Sequence, residues 1–219
     1  MGGGVGVTRV SREGGAGPAM GGGEEGVSGL WEATYCPAPM TRDQIAKAIA
    51  ECALLRGTFT LRSGRTSSYY LDKYLFSTRP EILVHLGTLF AERIASMGGD
   101  RGVARLAGAE LGGIPLVTAA SLRTGLPCLF VRNAKKGYGT AKQLEGKVEK
   151  GDRVILLEDV ATTGGQALEA VGVLKEAGAE VLGVIATIDR LEGARENIEG
   201  AGLRFEALFT KTDLGVPTE

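Results

Sequence analysis

Two adjacent carboxylates, Glu158 and Asp159, follow the apolar run Val154-Ile155-Leu156-Leu157 and lead through Val160 into a turn of small and hydroxyl residues, Ala161-Thr162-Thr163-Gly164-Gly165. After Gln166, the apolar residues Ala167, Leu168, Ala170, Val171 and Leu174 recur at helical spacing, ending near Gly178. The order is strand, acidic pair, Thr/Gly loop, helix. Small residues let backbone N–H groups turn toward a bound anion, a helix N-terminus adds favourable partial charge, and the threonines add hydroxyl donors. Two carboxylates beside such a cradle would repel a bare phosphate. They fit a ligand that offers hydroxyls for them to accept from, or one that carries Mg²⁺. A phosphorylated sugar with free hydroxyls meets both demands. The plain alternative is an ordinary strand–turn–helix with Glu158 and Asp159 as solvated turn residues. No Gly-Lys-Ser/Thr follows the strand and no GxGxxG is present here, which excludes Walker-type and dinucleotide-type loops.

A basic stretch precedes this segment. Residues 132–153 carry Arg132, Lys135, Lys136, Lys142, Lys147, Lys150 and Arg153 against Glu145, Glu149 and Asp152. Within it, Lys135-Lys136-Gly137-Tyr138-Gly139-Thr140 is too polar and Gly-rich for a stable helix or strand. A basic loop beside a phosphate site is what a lid over pyrophosphate needs. Without the acidic pair it would read as a solvated charged loop.

The elements that must hold these groups alternate. Strands at 103–106, 126–131, 154–157, 180–188 and 203–208 are separated by helices at 114–124, 167–178 and 194–201, which predicts a doubly wound, mostly parallel α/β sheet flanked by helices. Ahead of them, Thr41-Arg42-Asp43-Gln44 is a capping-box pattern opening a helix to about Leu55. Two β-like runs, 58–62 and 67–74, form a hairpin signal, and Pro80 opens an amphipathic helix that ends at Gly98-Gly99. The single histidine, His85, lies in that helix as a partly exposed residue. The predicted domain covers 40–219, with a small N-terminal hood of helix and short strands at about 41–78 and a core at about 80–219. Residues 1–29 hold twelve of the 35 glycines and few large apolar side chains, so 1–39 is expected to be a disordered extension, with Met40 a plausible true start.

Composition sets the remaining bounds. The net charge of −1 gives no global pull toward nucleic acid or an anionic membrane. Cys36, Cys52 and Cys128 are too few and scattered for a disulfide framework or zinc site, and reduced, cytoplasmic thiols are the default. No stretch approaches a membrane span or signal-peptide apolar region.

The acidic segment resembles the phosphoribosyl-pyrophosphate (PRPP) signature of type I phosphoribosyltransferases, and the assembled set, from about Thr41 to the C-terminus, resembles the orotate phosphoribosyltransferase family. Three further pieces carry that likeness. The run Phe59-Thr60-Leu61-Arg62-Ser63-Gly64-Arg65-Thr66-Ser67-Ser68-Tyr69-Tyr70 is similar to the family's FxLxSGxxSxxY segment. Val131-Arg132 through Lys136-Gly137-Tyr138-Gly139-Thr140 to Glu145-Gly146 resembles its catalytic lid, and Asp189-Arg190-Leu191-Glu192-Gly193 its late DRxEG segment.

The resemblance implies transfer of the ribose 5-phosphate of PRPP to N1 of orotate, with Mg²⁺ and a homodimer whose lid residues act across the interface. It implies that Arg132, Lys136 and Asp159 are catalytic and that Lys135, Tyr138 and residues 160–166 join Glu158 in binding PRPP. Arg62, Tyr70, Thr162 and Arg190 would bind orotate, and Glu158 and Asp159 would hold Mg²⁺ directly, through water or through PRPP. Four positions depart from the family's common pattern: Arg62, Asn133 and Gly112 stand where lysines are found, arginine keeping the charge but not the shape, and Tyr138 where histidine is common. A phosphoribosyltransferase for another base, or a PRPP-sensing regulator, remains an alternative; the basic face or added DNA-binding module expected of the latter is missing.

Overall fold

The computed structural model describes residues 37–60, 66–100, 102–133 and 143–217. The Gly-rich extension, the hairpin tip with Arg62, and the lid positions Lys135, Lys136 and Tyr138 lie outside these residues. Residues Ala38–Glu219 cluster as one unit, which holds both hood and core.

The hood starts with α1 (Arg42–Ala53), where the capping box forms as the sequence requires: Gln44 N donates to Thr41 Oγ1 at 3.3 Å, and Thr41 N donates to Gln44 Oε1 at 2.8 Å. The chain then turns directly into β1 (Leu54–Thr60), which pairs antiparallel with β2 (Thr66–Leu71). β1 starts earlier than its β-like run predicts, and β2 stops short of Tyr74. Asp72 ends it by accepting a hydrogen bond from Tyr74 N at 3.1 Å, which caps a five-residue helix, α2 (Lys73–Ser77). Phe76 anchors α2 in the core with no exposed surface.

α3 (Pro80–Gly98) follows with proline in its first turn. Then come β3 (Arg105–Ala109), α4 (Gly113–Thr124), β4 (Cys128–Val131), β5 (Leu144–Glu145), β6 (Arg153–Ala161), α5 (Gly165–Glu176), β7 (Glu180–Asp189), α6 (Ala194–Gly200) and β8 (Arg204–Thr210). Among the described residues, the main sheet has the order β5-β4-β3-β6-β7-β8 and is parallel except for β5, which runs antiparallel to β4.

Both faces of the sheet are covered, which is why β6 reads as an unbroken apolar run. Side chains alternate across the pleat: Ile155 and Leu157 join the core under α1, α3 and α4, whereas Val154 and Leu156 join the core under α5 and α6. His85 is half-buried in α3, with its Nε2 buried and without a hydrogen-bond partner. Arg42 fastens the hood to the far end of the chain: its guanidinium donates to Leu208 O and pairs with Asp213, each at 2.9 Å, and lies 4.9 Å from the centroid of the Phe209 ring.

From β3 the chain passes to β4 on one side and then returns to β6 on the other. The strand order therefore reverses between β3 and β6, the place where open α/β sheets bind ligands beyond the carboxyl ends of their strands. Close packing there depends on glycine. A methyl on Gly108 would lie 2.5 Å from Gly113 O and 2.8 Å from Val117 Cγ1. Gly108→Ala should therefore lower unfolding free energy by about 1–3 kcal/mol. Urea titration of the two proteins checks this, and an unchanged midpoint would show that the β3–α4 turn yields freely.

Candidate active site

The acids lie at this reversal point. Glu158 and Asp159 fall within β6 rather than after it, and both are buried, at 5% and 1% exposure. Continuing the strand alternation sends Glu158 toward the α5 side, where it lines a small concavity with residues 160–167. Asp159 goes to the α4 side. Its Oδ2 lies so close to Gly112 that any Cβ there would overlap it. Gly112 is the residue ahead of α4, and Gly164, at φ +79°, is the residue ahead of α5; neither helix has a side-chain cap. The two helix N-termini thus leave backbone donors available on either side of the acids.

The acid pair is held under strain of charge. Glu158 Oε1 accepts from Asp159 N at 3.2 Å, and Asp159 Oδ1 accepts from Val160 N at 2.6 Å, while Glu158 Oε2 is buried without a hydrogen bond. Burial, reinforced by the neighbouring Asp159 carboxylate, pushes the Glu158 pKa up to about 8. Asp159 Oδ2 meets the ammonium of Lys73, from α2 of the hood, at 2.8 Å; the pair is ionic, out of line for a hydrogen bond. Nothing in the sequence singled out Lys73. Its partner is distant in the chain, and a lysine beside a hairpin carries no local signal.

Arg190 lies on the same rim. Its backbone N donates to Ala161 O at 2.9 Å, which places it directly against the Thr/Gly loop. Its Nη2 pairs with Glu192 at 2.9 Å and donates to the Tyr69 hydroxyl at 3.2 Å, and its Nε is buried without a partner. Tyr69, rather than the neighbouring Tyr70, therefore reaches Arg190. Tyr70 faces outward at 46% exposure, with its ring 5.7 Å from Phe59.

On the other rim, Arg132 pairs with Glu145 at 3.7 Å. Asn133 N donates to Glu110 Oε1 at 2.7 Å, and Asn133 Oδ1 accepts from Gln166 Nε2 at 3.3 Å. The chain at Asn133 is thereby joined to both the β3–α4 and β6–α5 loops. Thr162 and Thr163 line the concavity with Gly164, Gly165 and Gln166, and Asn197 Nδ2 donates to Thr163 O at 2.9 Å.

The described residues contain no cluster of three or more His, Cys, Asp or Glu arranged to hold a metal. Two hard carboxylates are nonetheless suited to share an oxygen-loving cation with a ligand that supplies further oxygens, and the unfilled Glu158 Oε2 is a ready acceptor for it.

The family model "Phosphoribosyl transferase domain" matches residues 76–201, a span that takes in the acidic pair and both glycine-started helices, and this sets the class of the protein. The chain is 43% identical over 176 residues to orotate phosphoribosyltransferase of Natronomonas pharaonis, spanning 80% of this chain and 98% of that one. It is 41% identical over 174 residues to the Pyrococcus abyssi enzyme of the same name, spanning 79% and 94%. Among solved structures, Mycobacterium tuberculosis orotate phosphoribosyltransferase in complex with PRPP superposes with a TM-score of 0.67 at 33% identity, covering 80% of this chain and 99% of that one. The chain belongs to the orotate phosphoribosyltransferase family.

Glu158 links the site to stability. In the folded protein it holds its proton up to about pH 8, against an ordinary value of 4.5, so between these values the folded state binds more protons than the unfolded chain. Stability of the ligand-free protein should consequently fall as pH rises through that window. Glu158→Gln should flatten the dependence. Denaturant midpoints at pH 5 and pH 8 test it, and equal slopes in the two proteins would contradict the assignment.

Proposed function

We propose that this chain transfers the 5-phosphoribosyl group of PRPP to N1 of orotate, giving orotidine 5′-monophosphate and pyrophosphate. The observation that carries the reading is the buried pair Glu158–Asp159 set between two uncapped helix N-termini, with Arg190 bonded to the loop between β6 and α5. A ligand with an anionic group at each end and hydroxyls in the middle suits that order of donors and acceptors.

In this reading the backbone and hydroxyls of residues 161–165 hold the 5′-phosphate, with Val160 and Gln166 flanking it. Glu158 and Asp159 accept from the ribose hydroxyls, and re-ionisation of Glu158 accompanies binding. The same two carboxylates, together with PRPP oxygens, hold Mg²⁺, which supplies positive charge to the pyrophosphate. Arg190 offers a planar pair of donors to the orotate carboxylate, and Tyr69 keeps its guanidinium in place. Thr162, next in the chain to the Ala161 that Arg190 bonds, faces the base as well. Arg62 and Tyr70 on the hood cover the base, and Arg132, Lys135, Lys136 and Tyr138 close over the pyrophosphate. Orotate brings its own negative charge, so the protein's work is orientation and stabilisation of the leaving group rather than proton abstraction.

Two further parts of the proposal concern assembly and place. The active form is a homodimer in which lid residues reach the partner's site, a reading that rests on the family likeness. The protein works in the cytoplasm without nucleic-acid or membrane partners. Among the described residues no helix is long and apolar enough to cross a membrane.

The test follows orotate absorbance on addition of PRPP, with and without Mg²⁺. Wild type should consume orotate only when both are present. Asp159→Asn and Lys136→Ala should each lower kcat/KM by about two orders of magnitude or more. Arg190→Ala should raise the KM for orotate by about ten- to a hundredfold. PRPP binding without orotate consumption would point to another base, and absence of PRPP binding would overturn the reading.

A further inference from the structure

Lys73 is the one cation among the described residues that touches the acidic pair, and the PRPP reading above gives it no role. The fold holds it in place. Asp72 caps α2 and donates its own backbone N–H to Ala53 O at 2.9 Å, while Phe76 is sunk in the core, so the first turn of α2 is held at both ends. From there the lysine stem reaches to 2.8 Å from Asp159 Oδ2, with 31% of its side chain exposed against 2% for Asp159. Burial pulls the Lys73 pKa down, but the Asp159 carboxylate outweighs it and holds the ammonium above its ordinary value.

The oxygen it meets is informative. Asp159 Oδ2 is also the atom that fills the space beside Gly112, so Lys73 stands at the N-terminus of α4, on the opposite side of the acids from the concavity before α5. Two anion-attracting features coincide there: the uncapped backbone donors that open α4, and a half-exposed ammonium. Sugar hydroxyls that bind Asp159 must compete for the carboxylate now occupied by Lys73. Once displaced, the ammonium has the α4 N-terminus and open solvent beside it.

Resting on the phosphoribosyl-transfer reading, we propose that Lys73 is a catalytic residue that exchanges Asp159 for the pyrophosphate group of PRPP when substrate binds. In the transfer step the bond from the anomeric carbon to the pyrophosphate oxygen breaks, the electron pair leaves with pyrophosphate, and the bond to N1 of orotate forms. Lys73 stabilises the departing oxygens by donated hydrogen bonds and transfers no proton. A purely structural role would be different: Lys73 would stay on Asp159 throughout, and its removal would loosen the hood without distinguishing one ligand from another.

Ligand affinities separate the two. Calorimetric titration of the full chain with Mg²⁺-pyrophosphate and, separately, with ribose 5-phosphate should show Lys73→Gln binding pyrophosphate about tenfold or more weakly. Its affinity for ribose 5-phosphate should be unchanged or higher, because Asp159 is released. Lys73→Arg, which keeps the charge, should retain most of the pyrophosphate affinity and guards against a glutamine variant that fails to fold. Unchanged pyrophosphate affinity in Lys73→Gln, or equal weakening of both ligands, would overturn the proposal while leaving the phosphoribosyl-transfer reading intact. Failure of the wild type to bind either ligand would overturn both.

Discussion

The Asp159 carboxylate is buried against the backbone of Gly112, and this contact joins the loop after β3 to the last residues of β6. A charge so placed must be compensated, because an unpaired buried carboxylate is costly. The compensation comes from Lys73, carried by a different layer of the molecule. Three requirements therefore meet in one atom. The β3–α4 turn must be glycine, the hood must dock, and the neighbouring Glu158 must remain largely protonated until a ligand brings countercharge. Much of the surrounding structure serves to keep those conditions satisfied together.

The parts of this arrangement legible in the sequence are those encoded locally. The run from β6 through the Thr/Gly loop into α5 is contiguous, and its strand, turn and helix signals agree with one another. The capping box of α1 and the proline that opens α3 are likewise short-range, and the alternation of strands and helices was enough to set the sheet type. Elements made by long-range pairing were not legible. β5 is two residues long and exists because Phe130 and Val131 accept it as an antiparallel neighbour. α2 is a short helix capped by Asp72, and its first two residues overlap the end of the run that read as strand.

The hood hairpin shows why side-chain assignments are harder than elements. Adjacent strand residues point to opposite faces, so one residue of register decides which partner each tyrosine meets. Tyr69 lies against Arg190 and Tyr70 against Phe59. Lys73 belongs to the same class of information: nothing before or after it in the chain anticipates Asp159. The departures from the family pattern also take on physical meaning. A side chain at Gly112 has no room while Asp159 keeps this position, and Asn133 acts as a brace to Glu110 and Gln166 rather than as a substitute charge.

The clasp of Arg42 on Leu208 and Asp213 has a consequence for the order in which the protein can be made. Its helix is synthesised ahead of the whole sheet, whereas its partners come only with and after β8. During synthesis N-terminal elements gain structure first, yet this one gains its Arg42 clasp only when the final strand has joined. The hood, with Tyr69 and Lys73 upon it, is thus the earliest described part of the chain to emerge and among the last to be fully fastened, so a nascent chain stalled before β8 would carry the acidic pair and its Lys73 partner without the clasp at Arg42.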